Sequence, residues 1–166
     1  VTSEVGEKRE YTITAKLVED TTKVSDVLSD SSLVLKNGTI YKISPDTTVT
    51  TLKNKLIKNG AQNVIFKNSK GTEMNGSTKL TTNSSITITT AMETLTYKIS
   101  IKGDTNGDGQ ITAVDYVRIE NYIMGRLKLE GAYAKAADVN KDGKVSAVDY
   151  VMIEKYIMGD KKIIKN

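Results

Sequence analysis

The chain carries one sentence twice. Asp104-Thr-Asn106-Gly-Asp108-Gly109-Gln-Ile111-Thr-Ala-Val-Asp115 returns 34 residues later as Asp138-Val-Asn140-Lys-Asp142-Gly143-Lys-Val145-Ser-Ala-Val-Asp149. Each copy sets oxygen-bearing side chains at positions 1, 3, 5 and 12 and glycine at position 6. Short polar side chains on alternate residues can converge on one point, and the glycine permits the sharp turn that closes the loop around it. The likeness continues past the loops: residues 104–125 and 138–159 share 15 identities in 22 positions. An apolar stripe at helical spacing follows each loop, Val114, Val117, Ile119, Tyr122 and Ile123 in the first copy and Val148, Val151, Ile153, Tyr156 and Ile157 in the second. Gly125 and Gly159 stop the two helices. Two such short helices cannot bury their stripes alone, so they are expected to pack on each other with pseudo-twofold symmetry, Leu129 to Ala137 forming a short linking helix between them.

The spacing is that of an EF-hand calcium loop. Calcium is a hard cation that takes six to eight oxygens in loose geometry. Asp104, Asn106, Asp108 and Asp115 are candidate ligands of a first ion, and Asp138, Asn140, Asp142 and Asp149 of a second. The backbone carbonyls of Gln110 and Lys144 stand at the seventh position, where any residue serves. Thr112 and Ser146 stand at the ninth, where a ligand often acts through water. Both loops close on Asp where the general pattern has Glu, so each following helix must begin nearer the ion. An Asp/Asn/Gly-rich surface turn would explain one such loop, but not two with the same signature.

These residues resemble a dockerin module of the type I kind. The Gly103-Asp104 start, Ala136-Ala137-Asp138 ahead of the second loop and the doubled Tyr-Ile-Met-Gly carry the likeness over residues 103–159. The resemblance implies an all-α module of two F-hand units, each a calcium loop followed by one helix, without the entering helix of a full EF-hand. Leu95 to Ile101, an alternating strand-like run, precedes the first loop in keeping with this. It also implies two calcium ions and a partner, the cohesin module of a scaffolding or cell-surface protein. The family's partner-reading positions fall here on Ala113, Val114, Glu120, Asn121 and Gly125, and on Ala147, Val148, Glu154, Lys155 and Gly159. Many members carry Ser-Thr where this chain has Ala-Val twice, which implies a more apolar contact and a different cohesin specificity.

Charge and composition narrow the alternatives. The net charge of +4 resides in residues 1–102, with 14 Lys/Arg against 10 Asp/Glu, while residues 103–166 carry 10 of each. The lysines are scattered among Thr, Ser and Asn, without a basic helix, so nucleic acid is not an expected partner. No apolar run has membrane length. The absence of Cys and His excludes disulfides, thiolate sites, the common catalytic triads and His-based metal sites.

The first hundred residues read as strands. Leu33-Val-Leu35 and Ile40-Tyr-Lys-Ile43 flank Asn37-Gly38, a type I′ hairpin signal. Val49, Leu52, Leu56 and Ile57 follow at helical spacing, capped by Thr47 or Thr48 and stopped at Asn59-Gly60. Val64–Phe66, Ile86–Ile88 and Leu95–Ile101 complete a β-β-α-β-β-β order, either β-grasp-like or a β-sandwich, with Tyr11–Leu17 as a leading strand or linker. Asp46, Glu73 and Glu93 read as isolated, solvated carboxylates. Tyr11, Tyr41, Phe66 and Tyr97 read as core and not as a sugar platform.

The expected architecture is therefore a two-domain α+β chain. Residues 1–20 form a leading segment, 21–102 a small β-rich domain similar in role to the X-modules placed beside dockerins, 103–160 the dockerin and 161–166 a tail. Its expected role is calcium-dependent docking without catalysis, as the C-terminal piece of a larger secreted enzyme such as a glycoside hydrolase, held in an extracellular complex for polysaccharide degradation. A calcium sensor and a carbohydrate-binding accessory fragment are the alternatives. Sensors open a groove between paired full EF-hands, which the missing entering helices argue against. Ile163 and Ile164 of the tail are expected to meet Ile99 or Ile101.

Overall fold

The computed structural model describes residues 20–164. The leading strand expected over Tyr11–Leu17 lies outside the described residues. After α1 (Val24–Asp30), strands β1 (Val34–Lys36) and β2 (Thr39–Ile43) form a hairpin in which Lys36 faces Thr39. Its two turn residues, Asn37 (φ +52°) and Gly38 (φ +70°), both adopt the left-handed conformation that a type I′ turn requires. Helix α2 (Val49–Lys58) starts where the Thr48 hydroxyl accepts the Thr51 N–H at 3.2 Å, and stops at Asn59-Gly60. It buries Val49, Leu52 and Leu56, one face at helical spacing.

Strands β3 (Asn63–Lys67), β4 (Glu73–Met74), β5 (Ser85–Thr89) and β6 (Thr94–Ile101) complete one six-stranded sheet in the order β1-β2-β6-β5-β3-β4. The β2–β6 pair is parallel and the other pairs are antiparallel. The described residues form one sheet and not the β-sandwich alternative, and the side chains say why. Val64, Phe66, Ile86, Ile88, Ile99 and Ile101 all point to one buried face, under α1 and α2. Between them on β5 and β6 run Thr87 against Thr96 (2.8 Å) and Thr89 against Thr94 (3.1 Å), hydroxyl to hydroxyl. A polar ladder of that kind offers no apolar surface to a second sheet.

Two elements were not foreseen. Helix α1 reads Val-Ser-Asp-Val-Leu-Ser-Asp, too short for its period to stand out, yet it buries Val24, Val27 and Leu28. Its first N–H, that of Val24, donates to the Glu93 carboxylate at 2.9 Å, so Glu93 caps a helix and is not simply solvated. Asp46 likewise has a partner, Lys79, at 2.7 Å across the surface. Strand β4 has only two residues. Of the aromatics, Phe66 lies in the core and Tyr97 is half-buried at its edge, whereas Tyr41, also half-buried, is not part of it and lies under the Lys135 ammonium.

Beyond β6 the chain turns at Gly103 into helices α3 (Ala113–Ile123), α4 (Gly131–Ala137) and α5 (Ala147–Ile157). Helices α3 and α5 pack on each other. Tyr116 and its counterpart Tyr150 stack with ring centroids 4.0 Å apart and an 18° angle between planes. The apolar stripes do not bury whole. Ile119 and Ile153 are inaccessible, but Val114, Val117, Ile123, Val148, Val151 and Ile157 stay exposed. Two helices meeting along one seam cover only the residues on that seam, and the rest of each stripe faces outward. The tail also differs from expectation. Ile164 is fully buried in the helical core with Ile119, Leu129, Val139 and Ile153, while Ile99 and Ile101 belong to the core of the sheet. Small residues let α4 lie close to β6: Ala132, Ala136 and Ala137 are buried, and the Ala136 carbonyl accepts the Gly103 N–H at 2.9 Å.

Candidate calcium loops and the face between the helices

Each loop is wound by its own carboxylates around backbone N–H groups. In the first, Asp104 Oδ1 accepts from Gly107 N–H at 2.7 Å, and Oδ2 accepts from Gly109 N–H at 3.2 Å. Asn106 Oδ1 accepts from Asp108 N–H, and Asp108 Oδ1 from Gln110 N–H. The second loop repeats the pattern: Gly143 N–H to Asp138 Oδ2, Asp142 N–H to Asn140 Oδ1 and Lys144 N–H to Asp142 Oδ1. Asp115 and Asp149, fully buried, close the loops. Asp115 Oδ1 accepts from Thr105 and Asn106 N–H, and Asp149 Oδ1 from Val139 and Asn140 N–H. Their other oxygens accept from Thr112 and Ser146 N–H at 2.9 and 2.8 Å, forming capping boxes at the starts of α3 and α5. One side chain therefore sets both the loop and the first turn of the helix.

The donor set is all oxygen, which suits a hard cation. Among the described residues no three acidic side chains close into a ready-made cage, because the carboxylates are turned to their own backbone. One atom is left over: Asp138 Oδ1 is buried without a hydrogen-bond partner. A buried carboxylate oxygen with no donor is costly and fits a cation. Burial pushes the Asp104 and Asp138 carboxyls above the usual carboxylate range, and a cation would reverse that shift. The amide of Asn140 lowers the Asp142 carboxyl. Position four differs between the copies, Gly107 against Lys141. Burial, with Lys102 beside it, pulls the Lys141 ammonium down to about 7.

The first loop is entered from β6, but the second is entered from the seven-residue helix α4. That helix is the link expected over Leu129 to Ala137, so the first loop follows a strand and the second follows the connection between the two units.

Between α3 and α5 the surface carries two shallow grooves of about 220 Å³ each. One is lined by Glu120, Ile123, Met124, Ala147 and Tyr150. The other is lined by Glu154, Ile157, Met158, Ala113 and Tyr116. These are the same five positions of the repeat with the copies exchanged, so the symmetry visible in the sequence is present in the surface. Each groove takes the end of one helix and the start of the other. Neither copy makes a groove alone.

Residues 102–158 match the protein family described as the dockerin type I domain. This segment is a type I dockerin. No curated protein and no solved structure matches the chain significantly. A dockerin is a non-catalytic module that binds cohesin in a calcium-dependent way, and dockerins typically occur in extracellular or cell-surface proteins. Among the described residues no helix is long and apolar enough to cross a membrane.

The residues assigned to partner contact from the resemblance fall in distinct places on this dockerin. Ala113, Ala147, Glu120 and Glu154 line the two grooves. Val114 and Val148 are exposed beside them, and Val148 and Lys155 share a separate shallow depression with Val151. The Asn121 amide donates back to the Val117 carbonyl at 2.9 Å. Gly125 and Gly159 are exposed, at φ +70° and +113°, where the helices stop. The sequence reading missed Ile123, Met124, Ile157, Met158, Tyr116 and Tyr150 as groove residues. The signal was present in the doubled Tyr-Ile-Met-Gly: an exposed methionine kept in both copies is a flexible, polarisable contact more than a core filler.

Proposed function

We propose that residues 103–160 form a docking module of two F-hand units holding two calcium ions, and that it binds a cohesin of a scaffolding or cell-surface protein through either of its two grooves. The ligands are Asp104, Asn106, Asp108, Asp115 and the Gln110 carbonyl for one ion, and Asp138, Asn140, Asp142, Asp149 and the Lys144 carbonyl for the other. Calcium, when bound, neutralises the gathered carboxylates and fixes the loops that aim α3 and α5. The observation that carries the reading is the exchange of copies between the grooves: Ala147 faces Glu120 and Met124, and Ala113 faces Glu154 and Met158. Such a surface presents the same contact in two orientations.

Residues 21–102 act as an X-module-like brace, since β6 runs into the first loop with only Lys102 and Gly103 between. The parent is a secreted enzyme, such as one acting on polysaccharides, that this module anchors in an extracellular complex. The test is a pull-down of recombinant type I cohesins by the full chain. Capture in calcium and release by chelator support the reading, and capture of none, or capture indifferent to chelator, refutes it.

A further inference from the structure

The two loops are alike in sequence but unlike in surroundings. Asp104, fully buried, has a third donor that Asp138 lacks: the backbone N–H of Thr82, at 2.8 Å from Oδ2. Thr82 lies in the turn between β4 and β5, outside the repeat. Its own side chain is locked, the hydroxyl accepting from Ile101 N–H at 3.0 Å. The loop is pressed against this turn. A Cβ on Gly107 would stand 2.9 Å from the Thr82 carbonyl oxygen, and one on Gly109 would stand 2.9 Å from the Thr81 methyl. Arg118 adds a further brace, its Nε donating to the Thr105 carbonyl at 3.0 Å. The second loop is not pressed against a turn in this way, and what reaches it is the Lys102 side chain beside Lys141. A Cβ on Gly143 would meet no atom within 4 Å, Met152 stands in place of Arg118, and Lys141 replaces Gly107.

We infer that the turn at Thr81–Ser84 is the outer shell of the first calcium loop, with Thr82 as the positioning residue for Asp104. The sheet thereby makes the first site the tighter of the two and ties its filling to its own stability. This rests on the reading of both loops as calcium sites. Outer-shell partners hold a ligand's orientation, and their loss lowers metal affinity about 10- to 100-fold. The sequence difference at position four follows from the same contact, because only glycine lets the loop lie against the Thr82 carbonyl.

The experiment uses the full chain with one site removed at a time, through the exposed residues Asp108→Ala and Asp142→Ala. Calcium is titrated by calorimetry and by amide resonances. The Asp142→Ala chain, keeping the first site, should bind calcium at least about tenfold more tightly than the Asp108→Ala chain. Its Thr82 and Ile101 amide resonances should shift as that site fills, and the same resonances should stay still in the Asp108→Ala chain. Thr82→Val, placed in the Asp142→Ala chain, should weaken binding about tenfold, and Thr82→Ser should restore it. Should Thr82→Val not fold, the Thr82 resonance alone decides. Equal affinities with a silent Thr82 amide would overturn the outer-shell role while leaving the calcium reading intact. No calcium heat in either chain would overturn both.

Discussion

Asp104 meets three backbone N–H groups, and one of them comes from 22 residues upstream in an irregular turn. No local pattern announces that partner. The ligand spacing of the loop is legible in sequence because it is local, whereas Thr82 is brought to it by sheet pairing. Glu93 is a similar case: it reads as isolated until α1 is placed above it. The hairpin at Asn37-Gly38 is the converse, since two adjacent residues suffice to dictate the turn. A prediction at this scale compares Gly107→Ala with Gly143→Ala. Both residues have positive φ, so each substitution should cost roughly 1–2 kcal/mol of backbone strain. Gly107→Ala should cost more, because its Cβ meets the Thr82 carbonyl and that of Gly143 meets nothing. Denaturant midpoints in calcium check this, and equal losses would contradict it.

Helices α3 and α5 were foreseen in extent from their apolar period and their glycine stops, but not in which apolar residues they bury. Each carries apolar residues over more than one face, and the period alone cannot separate a residue facing the sister helix from one facing a partner. The structure divides them: Ile119 and Ile153 inward, Val114, Val117, Val148 and Val151 outward. The seam itself rests on the stacked rings of Tyr116 and Tyr150, and Tyr150 beside it raises the Tyr116 hydroxyl above its ordinary range. A double-mutant cycle with Tyr116→Ala and Tyr150→Ala should give a coupling of about 0.5–1.5 kcal/mol in urea denaturation. Additive losses would show that the stacked pair does not couple the copies. Strand β4 and helix α1 escaped the sequence reading for want of length, because two and seven residues hold too few periods to register.

The described residues build two cores, one beneath the sheet and one among the helices, joined through β6, Gly103 and α4. The helical core is small, and its loops are gathered carboxylates, so calcium binding should be part of its folding energy. Excess chelator should lower the far-ultraviolet helix signal, while a transition from the sheet core persists at reduced temperature. An unchanged cooperative transition without calcium would contradict this. The sheet-plus-helix division was legible from patterning. Its single-layer form depends on the threonine ladder, which alternation alone did not separate from a sandwich strand. The proposed docking is calcium-dependent and uses either of two equivalent grooves. Its most direct test titrates a type I cohesin captured by the native chain against Ala113→Asp, Ala147→Asp and the double variant, in calcium. Each single change should leave one groove and weaken binding only about twofold. The double change should abolish binding while calcium uptake survives. Unchanged cohesin affinity in the double variant, or loss of binding from one change alone, would contradict the account.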